Sequence, residues 1–278
     1  MGSPVSWHGW SVQPPLAYVV AAALLYGLGG TRYSRAARTR ERWREAAFAL
    51  GLVTIVLALE SPLDGYADRL FWMHMLQHVM LLSVAPPLIL LGRPWPRMWL
   101  GLPVGLRTTV GRTLARARWT AGVRWLARPR QAWGLFNATL IGWHIPAAYD
   151  VTLRNQSIHD LEHAMFFFTG LLFWAHIVDP GPLRARLSWP LRLAYLVGSM
   201  VVGWMLAVTL VMVSHPIYSP YAAVGHRPGG ISALNDQQLA AGVMWVIGSL
   251  PYSVVLFIGL YRWLEPDRRA KPRPAITT

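Results

Sequence analysis

The chain has 278 residues, of which 54% are hydrophobic and only 14% charged, whereas about a quarter of a typical soluble chain is charged. Its mean hydropathy is +0.33 and its formal net charge is +14, with apolar residues gathered in blocks about 20 long, the length that crosses a hydrocarbon core. These figures argue against a soluble domain. The arginines fall between the apolar blocks, which points to a membrane surface and not to nucleic acid as their partner. No cysteine is present, so disulfides, thiolate metal sites and Cys-x-Cys copper carriers are all excluded.

In chain order the blocks predict an all-α polytopic membrane protein with seven transmembrane helices, at 15–30, 46–62, 70–92, 131–149, 157–178, 190–214 and 237–262. Pro86-Pro87 in the third and Pro251 in the seventh predict kinks. The intervening segments alternate in charge. Six arginines lie in 31–45 and nine, with no acid, in 93–130. Three more lie in 179–192, and five basic residues follow the last span, so these four stretches hold 23 of the 26 basic residues. The positive-inside rule then places the N-terminus outside and the C-terminus in the cytoplasm.

No basic n-region precedes the first apolar block, so that span is expected to be retained. Residues 1–278 form a single membrane domain, with a cytoplasmic basic loop at 93–130 and a cytoplasmic tail at 263–278. Within the loop, Leu106, Val110, Leu114, Ala117 and Ala121 recur at helical spacing, with Arg112, Arg116 and Arg118 elsewhere around the wheel. This predicts an amphipathic helix on the inner leaflet, held by anionic membrane lipids.

The histidines converge in predicted depth. His74 and His78 open the third span from the outer side, His144 lies near the outer end of the fourth, and His159 and His163 open the fifth. His215 closes the sixth on the same side. At about 1.5 Å per helical residue all six lie within roughly 12 Å of the outer boundary. His74-x-x-x-His78 and His159-x-x-x-His163 each place two imidazoles on one helix face, which is half of a transition-metal site. Met73 and Met75 flank His74, while Asp160 and Glu162 lie beside the second pair. Imidazole with thioether suits copper, above all Cu(I), and a carboxylate can orient a ligating imidazole.

Two alternatives stand beside metal ligation. The histidines can form a polar network that fixes helix packing, or they can ligate a b-type haem from facing helices. Other chemistries lack their residues. There is no glycine-rich phosphate loop, no Gly-x-Ser-x-Gly, no cysteine nucleophile, and no lysine in any span to carry a Schiff base. A non-enzymatic role is expected.

The motifs also resemble a known family. Met73-His74-Met75-Leu76-Gln77-His78, with Ala85-Pro86-Pro87-Leu88 and Leu91-Gly92-Arg93-Pro94, is similar to the CtaG family of bacterial cytochrome c oxidase assembly factors. So are Trp143-His144-Ile145-Pro146, Tyr149-Asp150, and His159-Asp160-Leu161-Glu162-His163 with Gly170 and Phe173-Trp174. Trp204 to Tyr221 and Asp236-Gln237-Gln238 to Pro251 extend the likeness, which covers 45–262. The resemblance implies a multi-pass protein of the bacterial cell membrane that takes part in making an active haem–copper oxidase. It implies copper as the ion handled, the oxidase subunits as recipients, and an extracytoplasmic copper donor. Combined with the histidine pattern, it predicts an outward-facing copper site built from His74, His78, His159 and His163, with His144, His215, Met73 and Met75 as further ligands. A haem-binding redox protein and a metal-free assembly scaffold are the alternatives.

Overall fold

A computed structural model describes residues 9–117, 119–178 and 187–264; they are almost wholly helical and include no strand. Helix α1 spans Pro14–Gly30, α2 Arg35–Leu59 and the short α3 Pro62–Ala67. Helix α4, Phe71–Leu91, carries the first histidine pair. Three helices follow in the basic loop: α5 Pro94–Gly101, α6 Val104–Arg116 and α7 Trp119–Leu126. Then come α8 Pro129–Trp143, α9 Pro146–Thr152, α10 Gln156–Val178 and α11 Trp189–Met212. The short α12, Ser219–Ala222, precedes α13, Ala233–Tyr261.

Of these, α4, α10, α11 and α13 are long and apolar enough to cross a membrane. The other predicted segments fall on α1, which is apolar but 17 residues long, on α2, and on α8. Several boundaries differ from expectation. The second predicted segment belongs to a helix that begins at Arg35, because the arginine-rich approach continues the same helix without a break. The fourth stops at Trp143: Pro146 forces Ile145 into an extended conformation (φ −66°, ψ 126°) and opens the separate α9. The expected amphipathic helix is two helices, since Ala117 is extended (φ −72°, ψ 121°) between α6 and α7. Arg118 and the tail from 265 onward lie outside the described residues.

The prolines act through the helix N-terminal to them. A π-helical turn, Met80–Val84, precedes Pro86-Pro87 within α4, and another, Val243–Ile247, precedes Pro251 within α13. Pro86 has no N–H to give the carbonyl of Leu82. The indole Nε1 of Trp174 donates to that carbonyl instead, at 3.2 Å. Gly170, one turn earlier on α10, makes this approach feasible: a Cβ there would meet the Leu82 carbonyl oxygen at 2.7 Å and Pro86 Cγ at 3.0 Å. A defect imposed by sequence on α4 is thus answered by α10, and the two histidine-bearing helices lock together.

The core of the bundle packs α4, α8, α10 and α11 around Phe136, Phe166, Phe173 and Trp174. Phe136 stacks on Phe173 at 4.2 Å, and Asn137 Nδ2 donates to Ser199 Oγ at 2.9 Å, joining α8 to α11. At the other side α1 crosses α5 so closely that a Cβ on Gly29 would sit 1.8 Å from the Arg97 carbonyl oxygen. Arg97 itself is buried and donates to Glu45 at 2.7 Å, its guanidinium 4.9 Å from the Tyr26 ring.

Candidate functional site

Helix α4 presents His74 and His78 one turn apart, with ring centroids 4.3 Å apart; α10 presents His159 and His163 in the same way at 4.1 Å. The two pairs face each other. His74 lies 5.1 Å from His159 and 6.1 Å from His163, and His78 lies 5.4 Å from His163. All four rings are buried, and so is Glu162, which is 0% exposed. Ligand atoms of His74, His78 and His163 lie within 4.8 Å of one another, as do those of His74, His159 and Glu162.

The segment between α11 and α13 sets the tautomer of His74. Tyr221 Oη donates to the carbonyl of Ala67 at 2.5 Å. A carbonyl only accepts, so the single hydroxyl proton is committed there. Burial pushes the Tyr221 phenol up from its ordinary value, which keeps that proton in place. His74 Nδ1, 2.7 Å from the same oxygen, is therefore the donor in that contact. Nε2 of His74 is left with its lone pair, buried and without a hydrogen-bond partner.

The neighbouring donors share this condition. Both nitrogens of His78, Nε2 of His159 and His163, and both oxygens of Glu162 are buried without a hydrogen bond among the described residues. His78 Nε2 lies 3.8 Å from Glu162 Oε1. Buried polar groups are otherwise paired as a rule, and a cluster of orphaned imidazole nitrogens around one carboxylate is the donor set of a transition-metal cation. The residues present fit such an ion.

Not every predicted residue joins. His144 lies just beyond α8, buried, with Nε2 3.3 Å from Met75 Sδ; His144 belongs to neither of the two donor groups above. Met73 packs instead with Tyr66, Ala67 and Leu70. His215 is exposed, and among the described residues its carbonyl is engaged by Gln237 Nε2 at 3.4 Å. Asp160 is exposed and accepts from Gln156 at 2.8 Å.

Other residues of the signature stretches hold the frame. Asp236 accepts from the backbone N–H groups of Phe71 and Trp72 at 2.9 and 3.1 Å, capping the helix that carries His74. Arg227 lies 3.9 Å from the same carboxylate and also donates to the Tyr221 carbonyl. Gln77 Nε2 donates to Ala58 O at 2.8 Å and to Asp64 Oδ1 at 2.7 Å, so the residue before His78 ties α4 to α2 and α3. Glu60 accepts from the backbone N–H of Gln13 at 2.7 Å, just before α1. Sequence reasoning missed Tyr221, 147 residues from His74, and treated Glu162 as an outer carboxylate, although it lies inside the cluster.

The chain is 27% identical over 262 residues to an uncharacterized protein of Mycobacterium bovis and, to the same degree, to one of Mycobacterium tuberculosis. An uncharacterized protein of Mycobacterium leprae is 24% identical over 265 residues. These alignments cover 91 to 92% of this chain and 39 to 40% of the relatives, so the chain spans about two fifths of their length. No solved structure matches. The model of the cytochrome c oxidase caa3 assembly factors matches residues 24–266, nearly the whole chain, and the chain belongs to that family.

Proposed function

We propose that this protein serves the assembly of a haem–copper oxidase by binding copper at the α4–α10 cluster and releasing it to the oxidase subunits. The observation that carries the reading is the convergence of unpartnered, buried imidazole nitrogens from His74, His78, His159 and His163 around Glu162. Such a set attracts a transition-metal cation, and membership of an oxidase assembly family supports reading that cation as copper. Four imidazoles packed ring against ring, with neighbouring centroids 4.1 to 6.1 Å apart in five of the pairs, favour a single ion over a haem macrocycle, which needs a flat slot between its axial ligands.

In this reading all seven helical segments cross the bacterial cell membrane, with the N-terminus outside and the C-terminus in the cytoplasm. The cluster then opens to the outer side, where an extracytoplasmic donor supplies copper. The basic 93–130 loop rests on anionic lipids, and the protein performs no catalysis. The test is metal analysis with an absorption spectrum on detergent-purified protein reconstituted with copper. Bound copper in the wild type, with the cluster's share of it lost in His74→Ala and His163→Ala while both variants stay inserted, is the expected result. A Soret band would replace the reading with a haem-binding redox protein. Wild-type protein with neither metal nor haem would leave a scaffold whose histidines serve packing.

A further inference from the structure

A second pair of donors, different in character from the cluster, stands beside it. His144 Nδ1 lies 2.7 Å from the carbonyl oxygen of Leu140. That oxygen only accepts, so Nδ1 carries a hydrogen. The ring is buried and has no ion pair among the described residues, and a buried imidazolium without a counter-ion is costly. The neutral ring then leaves a lone pair on Nε2, which faces the sulfur of Met75 at 3.3 Å. Two lone-pair donors meet with no proton between them. Such a separation fits neighbouring positions on one ion at bonds of about 2.0 Å to nitrogen and about 2.3 Å to sulfur.

The surroundings differ as well. Met75 is fully buried among Phe71, Tyr149, Leu210 and Tyr218, and Tyr218 Oη donates to the His144 carbonyl at 3.0 Å, fixing the residue that bears the ring. Among the described residues the His144 ring is partnered by Leu140 O and Met75 Sδ and by no carboxylate, whereas Glu162 lies within the cluster. The two sites are neighbours. The Tyr149 ring is 5.3 Å from His74 and 6.3 Å from His144, and the Phe166 ring is 4.4 Å from His78 and 6.5 Å from His144.

We propose that His144 Nε2 and Met75 Sδ form a separate, soft station selective for Cu(I), next to an imidazole–carboxylate site that also accepts divalent ions. Thioether with imidazole in an apolar setting favours the monovalent ion, while a carboxylate set accommodates the divalent one. The inference rests on the copper reading of the cluster, so its test separates the two. Cu(I) is titrated anaerobically into the detergent-purified full chain and into Met75→Leu, which conserves volume; uptake and X-ray absorption are measured. Co(II), which has little affinity for thioether, probes the cluster alone.

Wild-type protein is expected to take up one Cu(I) more than Met75→Leu and to show a copper–sulfur shell that the variant lacks, with Co(II) uptake equal in both. His144→Gln should lose the same equivalent, again with Co(II) uptake retained. A wild type that binds Co(II) but shows no sulfur shell, or a variant that keeps the shell, overturns the station and leaves the cluster reading intact. A sulfur shell without Co(II) binding supports the station and removes the cluster. Absence of both metals removes both.

Discussion

The hydroxyl of Tyr221 stands 2.7 Å from Nδ1 of His74 while donating its own proton to the Ala67 carbonyl at 2.5 Å. Through this one oxygen the segment between α11 and α13 decides which nitrogen of a buried imidazole carries hydrogen and holds the ring to one orientation. Tyr221→Phe removes the acceptor and frees the tautomer. Loss of such an orienting partner weakens metal sites by about 10- to 100-fold. The expected outcome is a copper affinity reduced by that factor, measured by competition with a chelator of known affinity, with insertion into the membrane unchanged. Undiminished affinity would show that the tautomer of His74 is irrelevant to binding.

Asp236 ties the same helix down at its start. Its carboxylate accepts from the N–H groups of Phe71 and Trp72, so Asp236→Ala leaves them unpaired at a buried helix terminus. Lost N-terminal caps cost about 0.5–2 kcal/mol, and thermal unfolding in detergent should fall accordingly. Asp236→Asn keeps one of the two accepting oxygens and should recover only part of that loss. Equal destabilisation by both substitutions would mean that the charge facing Arg227, at 3.9 Å, matters more than the cap.

The spacing His-x-x-x-His made both halves of the cluster legible, because residues four apart share a helix face whatever the rest of the fold does. Depth alone was a poorer guide. Successive helical residues turn by about 100°, so Met73 and Met75, each one step from His74, point away from its cluster partners: Met73 into the packing with Tyr66 and Leu70, Met75 towards His144. His215 shares the expected depth, yet α11 ends at Met212 and the extended backbone at Val213 leaves the ring exposed. Tyr221 carried no local signal at all. Its role depends on how the segment between α11 and α13 folds back over α4, and periodicity holds no information about that. The helices themselves were legible as apolar blocks, while their ends were set by particular residues, as Pro146 shows.

Metal binding should also be visible as stability. A ligand that binds only the folded state at a free concentration about 100 times its Kd adds about 2.7 kcal/mol. Copper is therefore expected to raise the unfolding temperature of the purified protein, and a strong chelator to reverse the shift. The cluster's part of that shift should be lost in a His78→Ala, His163→Ala double variant, which leaves too few donors around Glu162. A copper-dependent shift of full size in that variant would place the ion elsewhere.

Gly170 is where fold and site meet. It lies on α10 seven residues beyond His163, at the point where α10 touches the π-helical turn of α4, and a Cβ there would approach the Leu82 carbonyl to 2.7 Å. Gly170→Ala must therefore push the two helices apart or tilt one against the other. The Trp174 indole, one turn further, would be drawn off the carbonyl that Pro86 leaves without a backbone donor. Overpacking of this kind costs about 1–3 kcal/mol, and the same displacement widens the gap between His74 and His163. Gly170→Ala is expected to lower both the unfolding temperature and copper retention. Trp174→Phe leaves the close contact in place but orphans the carbonyl, so it should lower stability with a smaller effect on copper. If both variants lose copper in proportion to their loss of stability, the helix spacing has no separate role in holding the ion; a larger copper loss in Gly170→Ala at matched stability would assign that role to the close contact.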